Sequence, residues 1–179
     1  DKGTNSVMAL GFNEAEYRNR WITESGAWTP LNNMAHRAQT LMAKMLYYRA
    51  QGAKSFVEWE FSSQSDKSCW SIFNYTMQPE PAVIAWTYQV GLLGNAKFKE
   101  QIIAPSGYAF ADIYTYNNKT IVPFYSHTDD MGVLSVDMPH RVYDIYGNEF
   151  SSNLSYQSSK SPIYLVFEGL ISGDSLILK

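Results

Sequence analysis

The sequence predicts an α/β segment followed by an all-β segment. Over roughly the first hundred residues, compact apolar runs of strand length alternate with longer stretches of helical periodicity. From Tyr108 onward, short apolar runs are separated by turn residues instead. Composition supplies the third observation: 45% hydrophobic and 15% aromatic residues, with 17% charged, give 179 residues enough apolar mass for a packed interior. That length fits one ordinary domain or two small ones.

Taken in order, residues 9–17 read as a short polar helix or loop, and 20–24 as a compact strand ended by Ser25 and Gly26. Asn32 or Asn33 caps a long helix running to Gln51, with Gly52 just past its end, where a left-handed residue closes the last turn. Met34, Ala38, Leu41, Met42, Met45 and Leu46 recur at three- and four-residue intervals and form one apolar stripe for the core. Residues 55–61 follow as a second strand, between Gly52 and the polar run 62–66. After an aromatic-rich loop through Trp70 and Tyr75, Pro79 and Pro81 introduce a helix over 82–93 closed by Gly94, with Val83, Trp86, Val90 and Leu93 as its buried face. The product is strand-helix-strand-helix, two consecutive units of a parallel α/β fold.

The remainder reads as strands over 108–114, 120–125, 132–136, 141–146, 163–167 and 175–178. Their connectors hold Asn117 and Asn118, Asp129 to Gly132, and Gly147 with Asn148. Short strands with such turns predict an antiparallel β-sandwich. The expected division is therefore residues 1–102 and residues 103–179. Two parallel strands and two helices cannot cover both faces of a sheet, and purely parallel sheets occur almost only with both faces buried. Residues 1–102 thus call for more strands, from further sequence or from another chain.

Several functions are excluded on chemistry. A net charge of -3 leaves no basic footprint for nucleic acid or anionic lipid. No apolar run approaches the roughly 20 residues of a membrane span, and the first residues lack an apolar signal core. Cys69 is the lone cysteine, either a free thiol or one half of a disulfide to a segment outside this sequence. His36, His127 and His140 have no metal-site spacing, and Asp129 with Asp130 is too sparse for a calcium loop, so no metal is expected. Neither a phosphate-cradling glycine loop nor a Gly-x-Ser-x-Gly elbow occurs, and no cofactor is expected. Three Asn-x-Ser/Thr triplets, at Asn74, Asn118 and Asn153, fall where loops or turns are expected and fit a secreted or cell-surface protein carrying N-glycans.

One carboxylate stands out by position. Glu24 lies where a core strand meets its C-terminal loop, the end that carries the active site in a βα barrel. The run Trp-Ile-Thr-Glu-Ser-Gly-Ala-Trp from Trp21 to Trp28 is similar to the strand-seven segment of clan A glycoside hydrolases, in which the glutamate is the catalytic nucleophile. The run from Phe56 to Phe61, then Pro79, Glu80 and Pro81 leading to Leu92, Leu93 and Gly94, resembles strand eight and helix eight. Asp144 to Asn148 and Ser161 to Tyr164 look like stretches of the small β-domain that follows the barrel in xylosidase-like family 39. The resemblance covers nearly the whole chain.

It implies the last two βα units of a TIM (β/α)8 barrel followed by a β-sandwich, in a secreted retaining hydrolase of oligo- or polysaccharides. Glu24 would be the nucleophile, and Glu60 aligns with an acidic position at the end of strand eight that contacts the sugar or its surroundings. Retaining enzymes need a second carboxyl about 5–5.5 Å from the nucleophile. In the resembling clan it follows an asparagine at the end of strand four, and no such strand precedes Glu24. Asn13 and Glu14 form the right dipeptide in the wrong context. The resemblance therefore implies an N-terminal barrel segment, or a second chain, supplying strands one to six.

Alternatives stand beside these roles. Glu24 could instead be ion-paired to Arg20 or Arg37, and Glu58, deeper in its strand, partners a buried basic group. Trp28, Trp59 and Trp70 offer flat faces for pyranose rings or ordinary aromatic packing. The alternative function is a non-catalytic surface, matrix or carbohydrate-binding protein that keeps the scaffold.

Overall fold

The computed structural model describes residues 21–25, 34–53, 55–58, 60–62, 71–74, 76–126 and 131–179, with side chains for 34–53, 73–74, 76–126 and 131–179. Two compact units divide the chain, Asp1–Val83 and Ile84–Lys179.

The described elements of the first unit are β1 (Trp21–Ser25), α1 (Met34–Ala50), β2 (Ser55–Glu58), β3 (Glu60–Ser62) and β4 (Ser71–Phe73). Strands β1 and β2 pair in parallel, the geometry that a strand-helix-strand crossover produces. Helix α1 buries Ala38, Leu41, Met42 and Leu46 at the spacing of one helical face, together with Arg37, Tyr47 and Tyr48. Its end is set by Gly52, whose φ of 84° no larger residue adopts freely. There Ala53 N–H donates to the Tyr48 carbonyl and Gly52 N–H to that of Arg49, the two bonds of a Schellman closure.

The single strand expected over 55–61 is two strands in two sheets. Glu58 lies opposite Ser25, the last residue of β1, so β1 offers no partner beyond that point. Backbone groups further along need another acceptor and donor, and β4 supplies them: Glu60 pairs with Ser71 and Ser62 with Phe73, again in parallel. Strand β4 itself lies in the stretch expected to be a loop.

Helix α2 (Pro81–Leu93) crosses the junction, and the second unit continues with β5 (Lys97–Ile103), β6 (Ala109–Tyr116), β7 (Lys119–Ser126), β8 (Val133–Ser135), β9 (Arg141–Tyr143), β10 (Glu149–Phe150), β11 (Ser155–Gln157), β12 (Ile163–Glu168) and β13 (Ile177–Leu178). A six-stranded sheet has the order β10-β9-β12-β7-β6-β5, and a three-stranded sheet the order β11-β8-β13. All their ladders are antiparallel. Alternation sends Ala109, Ala111 and Ile113 of β6, Val122 and Phe124 of β7, Val142, Leu165 and Phe167 into one apolar cluster with Leu134 and Tyr156 of the smaller sheet. Each fully buried large apolar side chain contributes about 1.5–3 kcal/mol, so this shared core dominates the unit's stability.

The intervening residues Phe110, Asp112, Tyr114, Tyr125 and Tyr164 are buried as well. Helix α2 lies on that second face, where the Tyr88 ring stands 5.7 Å from the Tyr164 ring and the Tyr164 hydroxyl donates to Gln89 Oε1 at 2.6 Å. Burial on both faces explains why β6 and β7 read as nearly continuous apolar runs.

The expected boundary at 102/103 falls inside β5, an edge strand of the six-stranded sheet where no strand was expected. The strand expected over 141–146 stops at Tyr143, because Asp144 Oδ1 accepts from the N–H groups of Tyr146 and Asn148 and pulls the chain into a turn. Strand 175–178 is shortened in the same way by a 3-10 turn at Gly173–Ser175.

Candidate active site

Glu24 is the penultimate residue of β1. The β1–β2 register runs from Ile22 opposite Phe56 to Ser25 opposite Glu58, so β1 carries one more residue than β2 between these points. Thr23 and Glu24 are the residues of that irregularity. Such bulges are over-represented next to active sites, where they change the direction in which a strand presents its residues. Glu58 closes β2 at the same end of the parallel pair, and Glu60 opens β3, two residues further along. The backbone thus brings the strand ends at Glu24 and Glu58 side by side, with Glu60 carried into the β3–β4 pair. Trp28, Trp59 and Trp70 lie outside the described residues, as do Arg20, Asn13, Glu14, Cys69 and His127.

Arg37, one of the two basic residues weighed as an ion-pair partner for Glu24, is fully buried on α1 and lies 3.8 Å from Glu80. Burial raises the Glu80 carboxyl above its ordinary range, while the nearby Arg37 guanidinium acts in the opposite direction. Glu80 is thus a counter-charge of Arg37 among the described residues, a pairing that no spacing in the sequence selects.

The Asn-x-Ser/Thr positions differ in setting. Asn118 is exposed at the β6–β7 hairpin tip with φ of 59°, and Asn153 is exposed ahead of β11. Asn74 is engaged by its own turn, its Oδ1 accepting from Thr76 and Gln78 N–H groups while its Nδ2 donates to Gln78. His140 is held by Met138 and Tyr156. Among the described residues no group of three or more His, Cys, Asp or Glu is arranged to hold a metal, and no helix is long and apolar enough to cross a membrane.

An open groove of about 530 Å³ on the second unit is bordered by Ser135, Asp137, Asp174 and Ser175 around Val136, Met138, Leu154 and Ile177. Its lining has acceptors and apolar surface and no cation, which suits a neutral polar ligand better than an anion.

No protein-family model matches the sequence, and no curated protein matches it. Solved structures do. A family 39 glycoside hydrolase from the gut symbiont Bacteroides cellulosilyticus WH2 superposes with a TM-score of 0.66 at 19% identity, over 82% of this chain and 33% of its own. What is shared is the fold. A glycoside hydrolase family 30 subfamily 8 xylanase from Clostridium acetobutylicum superposes with a TM-score of 0.60 at 15% identity, over 82% of this chain and 41% of its own. A family 30 endoxylanase from Clostridium papyrosolvens C71 gives 0.53 at 11%, over 83% and 42%. The chain therefore has the fold of a portion of family 39 and family 30 glycoside hydrolases, and spans well under half the length of each.

Proposed function

We propose that this chain is the C-terminal part of a secreted retaining glycoside hydrolase, with β1 and β2 as the last two strands of a (β/α)8 barrel and the second unit as its accessory β-sandwich. The observation that carries the reading is a glutamate at the C-terminal end of a parallel βα strand, within a fold shared with glycoside hydrolases over four-fifths of the chain.

In this reading Glu24, ionised, attacks the anomeric carbon of a β-linked sugar. The bond from that carbon to the leaving oxygen breaks, and the leaving oxygen takes a proton from a carboxylic acid on the opposite side of the sugar. That acid belongs to the N-terminal barrel segment or second chain that supplies strands one to six. A covalent glycosyl-Glu24 ester results. Water, deprotonated by the same acid/base group, then displaces Glu24 and restores the starting stereochemistry. Glu60 and the indoles of Trp28, Trp59 and Trp70 serve as sugar contacts, and Asn74, Asn118 and Asn153 as N-glycan acceptors in an extracellular protein.

Glu24→Gln in the intact protein keeps the side chain's size and removes its charge, so turnover should fall by orders of magnitude with little loss of thermal stability. A 2-deoxy-2-fluoro glycoside with a good leaving group should leave its mass on the peptide containing Glu24. Full activity in the variant, or a label on another carboxylate, would remove Glu24 from the mechanism. Sugar binding without hydrolysis in the unmodified protein would favour the non-catalytic scaffold.

A further inference from the structure

Asp112 sits in the middle of β6 and is completely buried. Gln101 Nε2 on β5 donates to its Oδ1 at 2.8 Å, and the Tyr125 hydroxyl on β7 donates to its Oδ2 at 3.0 Å. The same Gln101 nitrogen lies 3.4 Å from the Tyr125 oxygen, so the three side chains close a ring of bonds across three neighbouring strands. Phe110 stacks on Tyr125 at 5.4 Å and seals the cluster from that side.

Both hydrogen-bond partners of the carboxyl, Gln101 and Tyr125, are neutral. Tyr114 on β6, Tyr164 on β12 and Tyr88 on α2 share this face, phenols carry no charge at neutral pH, and burial raises Tyr88 and Tyr164 further. The charged groups of the flanking elements are engaged elsewhere or exposed: Lys119 pairs with Glu168, Arg141 with Glu149, and Glu100 accepts from Gly173 N–H, while Lys97 and Lys99 are exposed. A sealed carboxylate without a cation is costly, because two neutral hydrogen bonds do not replace its hydration. The neutral acid suits the ring better. It can donate its own proton to the Tyr125 oxygen, reversing that bond, while Oδ1 continues to accept from Gln101.

We propose that Asp112 is a proton-operated latch of the six-stranded sheet, holding β5, β6 and β7 together as the neutral acid and loosening them when it ionises. Burial raises its pKa from 3.8 to about 7, with the Gln101 and Tyr125 hydrogen bonds acting in the opposite direction. The sign follows from linkage. Because the folded pKa is raised, the folded unit retains a proton that the unfolded chain has released, and the stability this gives is fully present below pH 3.8 and lost as pH rises through 7. The sheet is therefore firmest in acidic surroundings.

The test is hydrogen exchange of the intact protein from pH 5 to 8, read on peptides spanning 97–126 and corrected for intrinsic exchange, beside a 13C titration of the Asp112 carboxyl. Protection should fall by about 50-fold between pH 5 and 7, most steeply at the acid end, and level off by about pH 8. Asp112→Asn mimics the neutral acid, its Oδ1 accepting from Gln101 and its Nδ2 donating to the Tyr125 oxygen, and its protection should not change over this window. The carboxyl carbon of the unmodified protein should titrate near neutrality, a readout that stands even where the variant fails to fold. Equal pH dependence in both proteins, or a carboxyl that titrates below pH 5, overturns the latch.

Discussion

Tyr156 ties two loops together through one oxygen. Its hydroxyl accepts from Asn153 N–H at 2.7 Å, which leaves the hydroxyl hydrogen for His140 Nε2, also at 2.7 Å. His140 then carries its own hydrogen on Nδ1 and donates to the Met138 carbonyl at 2.6 Å. The imidazole ring also packs 5.3 Å from Phe167 of the core. A histidine without metal-site spacing thus has a structural task. Tyr156→Phe removes the acceptor for Asn153 and the donor for His140 while preserving the ring, so it should cost about 1–3 kcal/mol. Calorimetry should show the second unit's Tm lowered by about 4–8 °C for each kcal/mol, and an unchanged Tm would mean that water replaces both bonds. Asp112 had a legible trace at this scale, an acid inside the apolar run from Ala109 to Tyr114. Its partners were not legible, because Gln101 and Tyr125 lie 11 and 13 residues away and meet it only through strand register.

Helix α2 is fixed to its sheet by a buried polar pair as well as by aromatic packing. Gln89 and Tyr164 are both buried, and their bond is short at 2.6 Å. Gln89→Leu strands the Tyr164 hydroxyl and should destabilise the unit by about 1–3 kcal/mol, whereas the double variant with Tyr164→Phe should recover most of the loss. A denaturant-unfolding double-mutant cycle measures this, and additive losses would show that the two groups do not depend on one another. Gly147 sets how closely the turn after β9 approaches α2. At φ of 88° an added Cβ would come within 2.7 Å of the Tyr88 ring, so Gly147→Ala should cost more than the roughly 1 kcal/mol of a strained backbone alone. Elements with an unbroken period were readable, as α1 was from Met34 to Leu46. Strand β5 was not, because a register shift between Phe98 and Glu100 breaks its alternation and its edge position leaves it largely exposed. Strands β10 and β11, at two and three residues, are too short to show a period.

The two units differ in how far each can satisfy its own backbone and apolar surface. The described residues of the second form nine strands in two sheets around one core. The described strands of the first form two separate two-stranded parallel pairs, fewer than the three or so strands that independent stability requires. The alternation of strand and helix announced a parallel sheet in the sequence, but periodicity does not encode which strands pair beside β1. Helix α2 also leaves apolar surface uncovered. It is apolar around nearly its whole circumference, yet leaves Ile84 54% and Val90 48% exposed, an arrangement expected where another element covers the helix. We therefore expect residues 1–179 produced alone to yield a protease-resistant core from the second unit and a rapidly cleaved first unit. On the proposed reading, adding strands one to six, in one chain or as a separate one, should protect both and merge unfolding into a single cooperative transition. Limited proteolysis with mass mapping reads the first outcome and calorimetry the second. A first unit that resists cleavage by itself would show that two parallel pairs suffice, and the (β/α)8 reading would give way to a small self-contained α/β fold.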